Sequence, residues 1–260
     1  MERQQLALGD ERSRRGARRH PRLLLGDPPP RHHHGVSAPW ERRPPTAEGF
    51  EFRKIGELAR IRQFWVVCAL SFTLTLLRET FNTWTVDFFK EAGGAEMSSR
   101  IAAFLSTPFD ALGAAGIVLL GWVFGRTTPT ARKRLLFALL LALAGLIFLL
   151  PALARHHLLA ATAAVGAIGF LAYGPYSLLA GILAVEIRGK AYVATVAGMV
   201  DGVGYLAAIL AGQQFGRVLD VGGYDLGFSC LAALAAASAV LCLFLYGGRG
   251  MKELRGQHED

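Results

Sequence analysis

The sequence predicts an all-α membrane protein built around six membrane-spanning helices. From Phe64 onward charged residues are sparse, and they cluster between long apolar stretches. Stretches of about 18 or more mostly apolar residues are typical of membrane spans. A soluble domain seldom has several such stretches in a row, because its helices keep a polar face. Over the whole chain 52% of the residues are hydrophobic, although the start of the sequence is strongly basic.

Each of the six predicted spans can cross a hydrocarbon core about 30 Å thick. The first begins with the apolar run FWVVCALSFTLT, and the second contains Pro108. The third follows the basic run ARKR, and the fourth contains the segment YGPY. The fifth contains VDGVGY, and the sixth follows the loop that carries Arg217. In order, the spans cover residues 62–89, 99–124, 134–154, 158–184, 193–216 and 226–247.

Small residues recur at short spacing within the spans. In lipid no hydrophobic drive brings helices together, so small residues promote packing by letting backbones approach closely. The second span carries such residues, and the fifth repeats a four-residue glycine spacing. These predicted packing positions are Gly113, Gly116, Gly121, Gly125, Gly198, Gly202, Gly212 and Gly216.

The chain divides into three predicted parts. Residues 1–55 are rich in Arg, Pro and His, and they are expected to form a disordered cytoplasmic segment. Residues 56–248 form the six-helix bundle, and residues 249–260 form a cytoplasmic tail. The adjacent histidines 32–34 converge poorly on one ion, so no metal site and no cofactor is expected.

Lysine and arginine placement predicts that both termini are cytoplasmic. Basic residues are concentrated on the cytoplasmic side of membrane proteins, and an even number of spans returns the chain to its starting side. One side combines the basic N-terminal segment with Arg126, Arg132, Lys133, Arg134, Arg188, Lys190, Arg249, Lys252 and Arg255. The opposite side has only Lys90, Arg100, Arg155 and Arg217.

Composition and motifs disfavour two classes of function. The formal net charge is +8, and most of the excess positive charge is in the N-terminal segment and the short loops. This distribution is typical of a membrane protein rather than of a nucleic-acid-binding protein. The sequence shows no nucleophile–base pair, zinc-protease motif or phosphate-loop motif, so no enzyme activity is expected.

Arg78 is the most informative residue, because it lies near the middle of the first span. An arginine at the bilayer centre costs at least about 2.5–3.5 kcal/mol, so it should face the bundle interior or a water-filled cavity. A guanidinium there is suited to binding phosphate or carboxylate. Asn82 lies on the same helical face, whereas Glu79 projects about 100° away and is not the expected partner.

Two carboxylates are also predicted inside the membrane. Asp110 lies near the middle of the second span, where it could pair with Arg78 across helices or with another basic group. Asp201 lies nearer the cytoplasmic end of the fifth span, where either a structural hydrogen bond or a binding role is open.

Several motifs together resemble the C-terminal half of major facilitator superfamily transporters. They are LLRETFNTWTVDFFKEAGG, GWVFGR followed by ARKR, YGPYSLLAGILAVE and KAYVATVAGMVDGVGYLAAILAG, and the resemblance covers about residues 50–250. They look most like the organophosphate:phosphate antiporters, which include glycerol-phosphate and hexose-phosphate carriers and a related hexose-phosphate sensor. The resemblance implies half of a twelve-helix fold that works by alternating access.

The resemblance also implies roles for individual residues. Leu76-Leu77-Arg78 matches the family's phosphate-binding arginine, and Asp110 matches an acid of an ion-pair network. Gly125 stands where the gating loop usually has an aspartate, and Thr83 where some relatives have an acid. The candidate substrate-binding residues are Arg78, Phe81, Asn82, Trp84, Tyr173, Tyr176, Asp201 and Tyr205; the ion-pair or coupling residues are Asp110 and Glu79; the gating-loop residues are Gly121, Arg126 and Arg132.

Three functions are compatible with these observations. The first is a transporter that exchanges a phosphorylated metabolite or another organic anion for inorganic phosphate. The second is a membrane sensor for a sugar phosphate, and the third is a truncated, non-functional fragment. The expected partners are the small anion, the lipid bilayer and either a complementary N-terminal six-helix half or a second copy. Abundant Ala, Gly and Arg suggest a bacterial inner or plasma membrane.

Overall fold

The computed structural model describes residues 56, 58–179 and 193–245. Within these ranges the chain is helical and contains no strand. The N-terminal segment 1–55 with its adjacent histidines 32–34, the loop carrying Arg188 and Lys190, and the tail 249–260 lie outside the described residues. The helices are α1 (Arg62–Gly93), α2 (Ser99–Ser106), α3 (Pro108–Arg126), α4 (Pro129–His156), α5 (Leu158–Leu178) and α6 (Val193–Cys242).

The helix lengths confirm the predicted all-α membrane fold. Five helical segments of the described chain are long and apolar enough to cross a membrane, with α2 and α3 forming one such segment. Pro108 at the start of α3 separates α2 from α3, because proline supplies no backbone N–H and clashes with the preceding turn. The predicted second span therefore consists of two consecutive helices.

Helix α6 is the last of these five segments, and it covers the positions of both the fifth and the sixth predicted spans. Its 50 residues are interrupted by non-helical backbone at Gly222 and Gly223, and the φ angle of Gly223 is 59°. Only glycine adopts this left-handed region without steric cost. The break divides α6 into a first arm, residues 193–221, and a second arm, residues 224–242. The first arm is longer than the roughly 20 residues that a membrane span requires, and the second arm is close to that length.

The core forms along two long helix pairs. Helix α1 packs along α6, α3 packs along α5, and α4 contacts both α5 and α6. Large aromatic side chains fill the centre, where Phe81 stacks between Phe109 and Phe228 at ring-centroid distances of 5.5 Å each. These three rings come from α1, α3 and the second arm of α6. They fix the part of α1 that follows Arg78.

The glycine prediction is correct for Gly113 and Gly116 of the second span and mostly wrong for the fifth span. A β-carbon on Gly113 or Gly116 would overlap α5, whereas Gly125 has nothing within 4 Å. In the fifth span Gly198, Gly202 and Gly212 also have open space, and only Gly216 approaches a neighbour, Trp84. Glycine spacing does not determine which face of a helix carries the contact. Gly204, outside the predicted set, provides the close approach to Thr75 of α1.

The outer surface of the bundle carries many large apolar side chains. Among them, Phe104 is 76% exposed and Val118 is 70% exposed. Water would disfavour so many exposed hydrophobic groups on one small domain, whereas lipid accommodates them. The exposed apolar surface and the helix lengths therefore both indicate that the bundle is surrounded by lipid.

Candidate functional site

Arg78 lies at the middle of α1 and faces α5. Its guanidinium carbon is 5.5 Å from the ring centroid of Tyr173 and 4.8 Å from that of Tyr176. Both distances are within the range of cation–π attraction, which strengthens as water is excluded. The side chain is 18% exposed, so it is mostly enclosed but still accessible. The prediction that Arg78 faces the bundle rather than acyl chains agrees with this geometry.

Glu79 is the ion-pair partner of Arg78, contrary to the expectation from helical spacing. Nε of Arg78 donates to Oε1 of Glu79 at 3.1 Å, and Nη2 donates to the same oxygen at 2.7 Å. Helical spacing separates the two Cβ directions, but both side chains are long enough to bend around the helix and meet. Helical spacing predicts where the side chains begin, but it does not predict where their charged ends meet.

The tyrosine hydroxyls link the Arg78 site to two further helices. Tyr173 donates to Oδ1 of Asp110 on α3 at 2.9 Å. Tyr176 donates to Oδ1 of Asp201 on the first arm of α6 at 3.1 Å. Both carboxylates therefore reach Arg78 through a tyrosine. Within the described residues Asp110 forms neither of the two pairs considered from the sequence, because its hydrogen bond is to Tyr173 and not to Arg78 or another basic side chain.

Asn82 completes this hydrogen-bond network. Its Nδ2 donates to the hydroxyl oxygen of Tyr173 at 3.4 Å, from one helical turn after Arg78. We call Arg78, Glu79, Asn82, Asp110, Tyr173, Tyr176 and Asp201 the arginine cluster. Four helices contribute to it: α1, α3, α5 and α6. The structure thus brings together seven of the ten predicted binding and ion-pair residues.

Local packing explains why both tyrosines face Arg78. Tyr173 and Tyr176 are three residues apart on α5, so they lie on one helical face. Gly113 of α3 leaves room for the ring of Tyr173, since a β-carbon there would lie 2.6 Å from Cδ2 of that ring. The close approach of α3 to α5 also brings Asp110 within hydrogen-bond distance of Tyr173.

Three predicted binding residues lie elsewhere. Phe81 is 2% exposed and belongs to the aromatic core. Trp84 faces α6, where its Nε1 donates to the carbonyl of Ala211 at 3.0 Å. Tyr205 is 66% exposed on α6. None of these three makes a hydrogen bond or ring contact with Arg78 in the described part of the chain.

Phe109 is a site residue that the sequence prediction missed. Its ring packs edge-on against Tyr173 at 5.6 Å, beneath the arginine cluster, and it stacks on Phe81. It therefore fixes the ring that contacts Arg78. No sequence pattern indicated it, because consecutive helical residues project about 100° apart and its contact with Tyr173 depends on how α3 packs against α5.

A comparison with known protein families matches residues 21–212 to the Major Facilitator Superfamily. This range covers more than half of the chain. The chain belongs to the major facilitator superfamily. A comparison with curated proteins finds no match. The match begins at residue 21, upstream of the predicted bundle boundary at residue 56, which remains a prediction.

Membership of the superfamily establishes the general class of function. Together with the apolar helices, it identifies a multi-pass membrane protein of a transporter family. Superfamily members are transporters and not enzymes, which agrees with the expectation from the sequence motifs.

The predicted gating residues of this superfamily member surround the turn between α3 and α4. Arg132 is 6% exposed, and its Nε and Nη2 donate to the carbonyl of Phe124 at 3.2 and 3.0 Å. Nη2 also donates to the carbonyl of Thr127 at 3.0 Å. The last carbonyls of a helix have no intrahelical partner, so Arg132 stabilises the end of α3.

The two other predicted gating residues have different surroundings. Arg126 is exposed, and its guanidinium carbon lies 4.0 Å from the ring centroid of Trp122. Gly121 faces Ser177 of α5, whose Oγ would lie 3.8 Å from an added β-carbon. Their role in gating remains a prediction. The described contacts show how Arg132 holds α3 and α4 together.

Replacing Arg132 with glutamine should destabilise the protein. Arg132→Gln removes charged donors from the buried carbonyl of Phe124 and the part-buried carbonyl of Thr127, at a cost of about 1–3 kcal/mol. Thermal unfolding of the detergent-solubilised full chain measures this as a lower melting temperature. Arg134→Gln is the matched control, because Arg134 is exposed two residues further along α4. Equal melting temperatures for the two variants would contradict the capping role.

A separate groove between α1 and α6 is too apolar to bind an anion. Its volume is about 580 Å³, and none of the arginine cluster lines it. Its walls are Trp65, Cys68, Ala69, Phe72, Thr73, Val203, Leu234, Ala237, Ser238 and Leu241. The arginine cluster is therefore the better candidate for substrate binding.

Proposed function

We propose that this protein transports a phosphorylated metabolite or a similar organic anion in exchange for inorganic phosphate. The supporting observation is the guanidinium of Arg78, kept between two tyrosine rings at the middle of a membrane-length helix. A membrane protein retains such a costly cation when the cation has a function. We further propose a bacterial plasma membrane as the location, with both termini on the cytoplasmic side.

The hydrogen-bonding state of Arg78 supports an anionic substrate. Nε and Nη2 both donate to a single oxygen of Glu79, and Nη1 makes no hydrogen bond to any described residue. A guanidinium fork can instead bind two oxygens of one phosphate or carboxylate, and such bidentate contacts are strong and directional. Arg78 therefore has unused donor capacity for an anion.

The surrounding carboxylates limit how tightly an anion binds. Glu79, Asp110 and Asp201 lie around the single guanidinium, and the two aspartates accept hydrogen bonds from tyrosines rather than from Arg78. Their negative charge reduces the positive potential that attracts an anion. A moderate affinity suits a carrier, because cargo bound too tightly is not released.

Alternating access gives the exchange mechanism. In superfamily transporters the halves rock around a site near the bilayer midplane, which each half helps to form. Asn82 and Asp110, at one edge of the arginine cluster, are exposed in this six-span bundle. We propose that a complementary N-terminal half or a second copy covers this edge and completes the cavity.

Counterflow in proteoliposomes tests the proposed function. The purified full chain is reconstituted into vesicles loaded with unlabelled phosphate, and uptake of trace labelled phosphate is followed. Uptake above protein-free vesicles is expected, and added hexose phosphate or glycerol phosphate should compete if it is a substrate. Phosphate binding without uptake would instead indicate a sensor. If the protein showed no phosphate binding and no phosphate uptake, anion recognition would be contradicted altogether.

A further inference from the structure

We propose that Glu79 is an internal counter-anion that occupies the substrate-binding edge of Arg78 and is displaced when the anionic substrate binds. This inference rests on the proposed function, because it assumes that Arg78 binds the anion. It assigns Glu79 a regulatory effect on affinity within the same site. The sequence predicts Glu79 only as an ion-pair or coupling residue, and displacement by the substrate goes beyond that prediction.

The geometry places Glu79 where a bidentate anion would bind. Its Oε1 accepts from both Nε and Nη2, which form one edge of the guanidinium fork. Its Oε2 makes no hydrogen bond to any described residue. A phosphate using this edge would place one oxygen on each nitrogen, so it cannot bind there until the Glu79 carboxylate leaves.

Glu79 is also free to move away. The side chain is 31% exposed, and within the described residues Arg78 is its only hydrogen-bond partner. The two residues are neighbours on one rigid helix, so side-chain rotation alone breaks the pair. An anionic substrate offers Arg78 the same kind of charge-assisted hydrogen bonds as Glu79 does, so it can compete with this pair.

Unlike Glu79, Asp110 and Asp201 cannot move away without breaking contacts between helices. Each accepts a hydrogen bond from a tyrosine hydroxyl on α5 and joins different helices. Removing either would therefore change contacts between helices. Glu79 joins only neighbouring residues of α1, so its removal should change the charge at Arg78 with little effect on helix packing.

Phosphate binding to a variant without this charge tests the inference. Glu79→Gln should bind inorganic phosphate about twofold to fivefold more tightly than wild type, as measured by calorimetry on the detergent-solubilised full chain. Glu91→Gln is the matched control, because it removes the same charge from an exposed position near the end of α1. Its affinity should equal that of wild type.

The outcomes separate the inference from the proposed function. Wild-type binding with unchanged or weaker binding by Glu79→Gln would overturn the displacement role and leave anion recognition intact. Tighter binding by both glutamine variants would indicate a general charge effect and would also overturn it. No phosphate binding by either wild type or Glu79→Gln would reject both proposals.

Wild-type protein provides a second test that does not depend on a variant folding. A hydrophobic carbodiimide modifies accessible carboxyl groups, and mass spectrometry locates the modified residue. Phosphate should increase modification of Glu79, because the displaced carboxyl group no longer contacts the guanidinium and becomes more accessible. Modification that stays constant or decreases with phosphate would contradict displacement.

Discussion

Arg78→Lys should remove most phosphate exchange while leaving a folded, membrane-inserted protein. Lysine keeps the positive charge, but its ammonium cannot present two parallel donors to one anion. It would also lose the planar stacking of the guanidinium against Tyr173 and Tyr176. Losing one charge-assisted hydrogen bond costs about 1.5–3 kcal/mol, which corresponds to about a tenfold to hundredfold reduction. Counterflow of labelled phosphate measures it.

Arg62→Lys is the matched control for this substitution. Arg62 begins the same helix, and its guanidinium carbon lies 5.2 Å from the ring centroid of Phe244, so the same chemical change removes a comparable ring contact. Arg62 lies outside the arginine cluster, so the phosphate exchange rate of the Arg62→Lys variant should equal that of wild type. Normal exchange by Arg78→Lys, or equal losses in both variants, would contradict the assignment of Arg78.

The sequence was sufficient to predict the residues that form the arginine cluster, although their role in binding remains a proposal. The cost of charge in lipid singles out Arg78, Asp110 and Asp201, since a membrane protein tolerates such groups only at interior positions. The connections between them could not be predicted. Each aspartate accepts a hydrogen bond from a tyrosine that in turn contacts Arg78. This arrangement depends on how α3, α5 and α6 pack, which no local sequence pattern encodes.

The membrane-length segments were predictable for a similar reason. Apolar length is a local property, and it identified the five such segments of the described chain, the last of which, α6, covers two predicted spans on either side of its break. The exact break was less predictable, because the Gly222–Gly223 pair marks a possible turn only when the backbone conformation is known. Glycine contacts were least predictable, as Gly198 and Gly204 occur in one span but only Gly204 meets another helix.

Gly169→Ala should strongly destabilise the protein by separating α3 from α5. An added β-carbon on Gly169 would overlap the backbone carbonyl oxygen of Phe109. The contact is reciprocal, since a β-carbon on Gly116 would lie 2.5 Å from the carbonyl oxygen of Phe170. Backbone atoms cannot rotate away as side chains do, so the helices must shift, at a cost of about 1–3 kcal/mol. A lower melting temperature of the detergent-solubilised chain measures this.

Gly145→Ala is the matched control because it makes the same change within another spanning helix. Gly145 of α4 has nothing within 4 Å of an added β-carbon. Alanine is favoured over glycine in a helix interior by about 0.5–1 kcal/mol, so this variant should keep or slightly raise the melting temperature. A similar effect of both substitutions would contradict the close α3–α5 contact.

The same pair of variants tests whether helix packing maintains the arginine cluster. Asp110 directly follows Phe109, the residue whose carbonyl an alanine at position 169 would displace. A shift there lengthens the hydrogen bond from Tyr173 to Asp110 and moves the ring that stacks on Arg78. Gly169→Ala should therefore reduce phosphate exchange even at temperatures where the protein stays folded. Unchanged exchange in that folded protein would show that the cluster tolerates movement of α3.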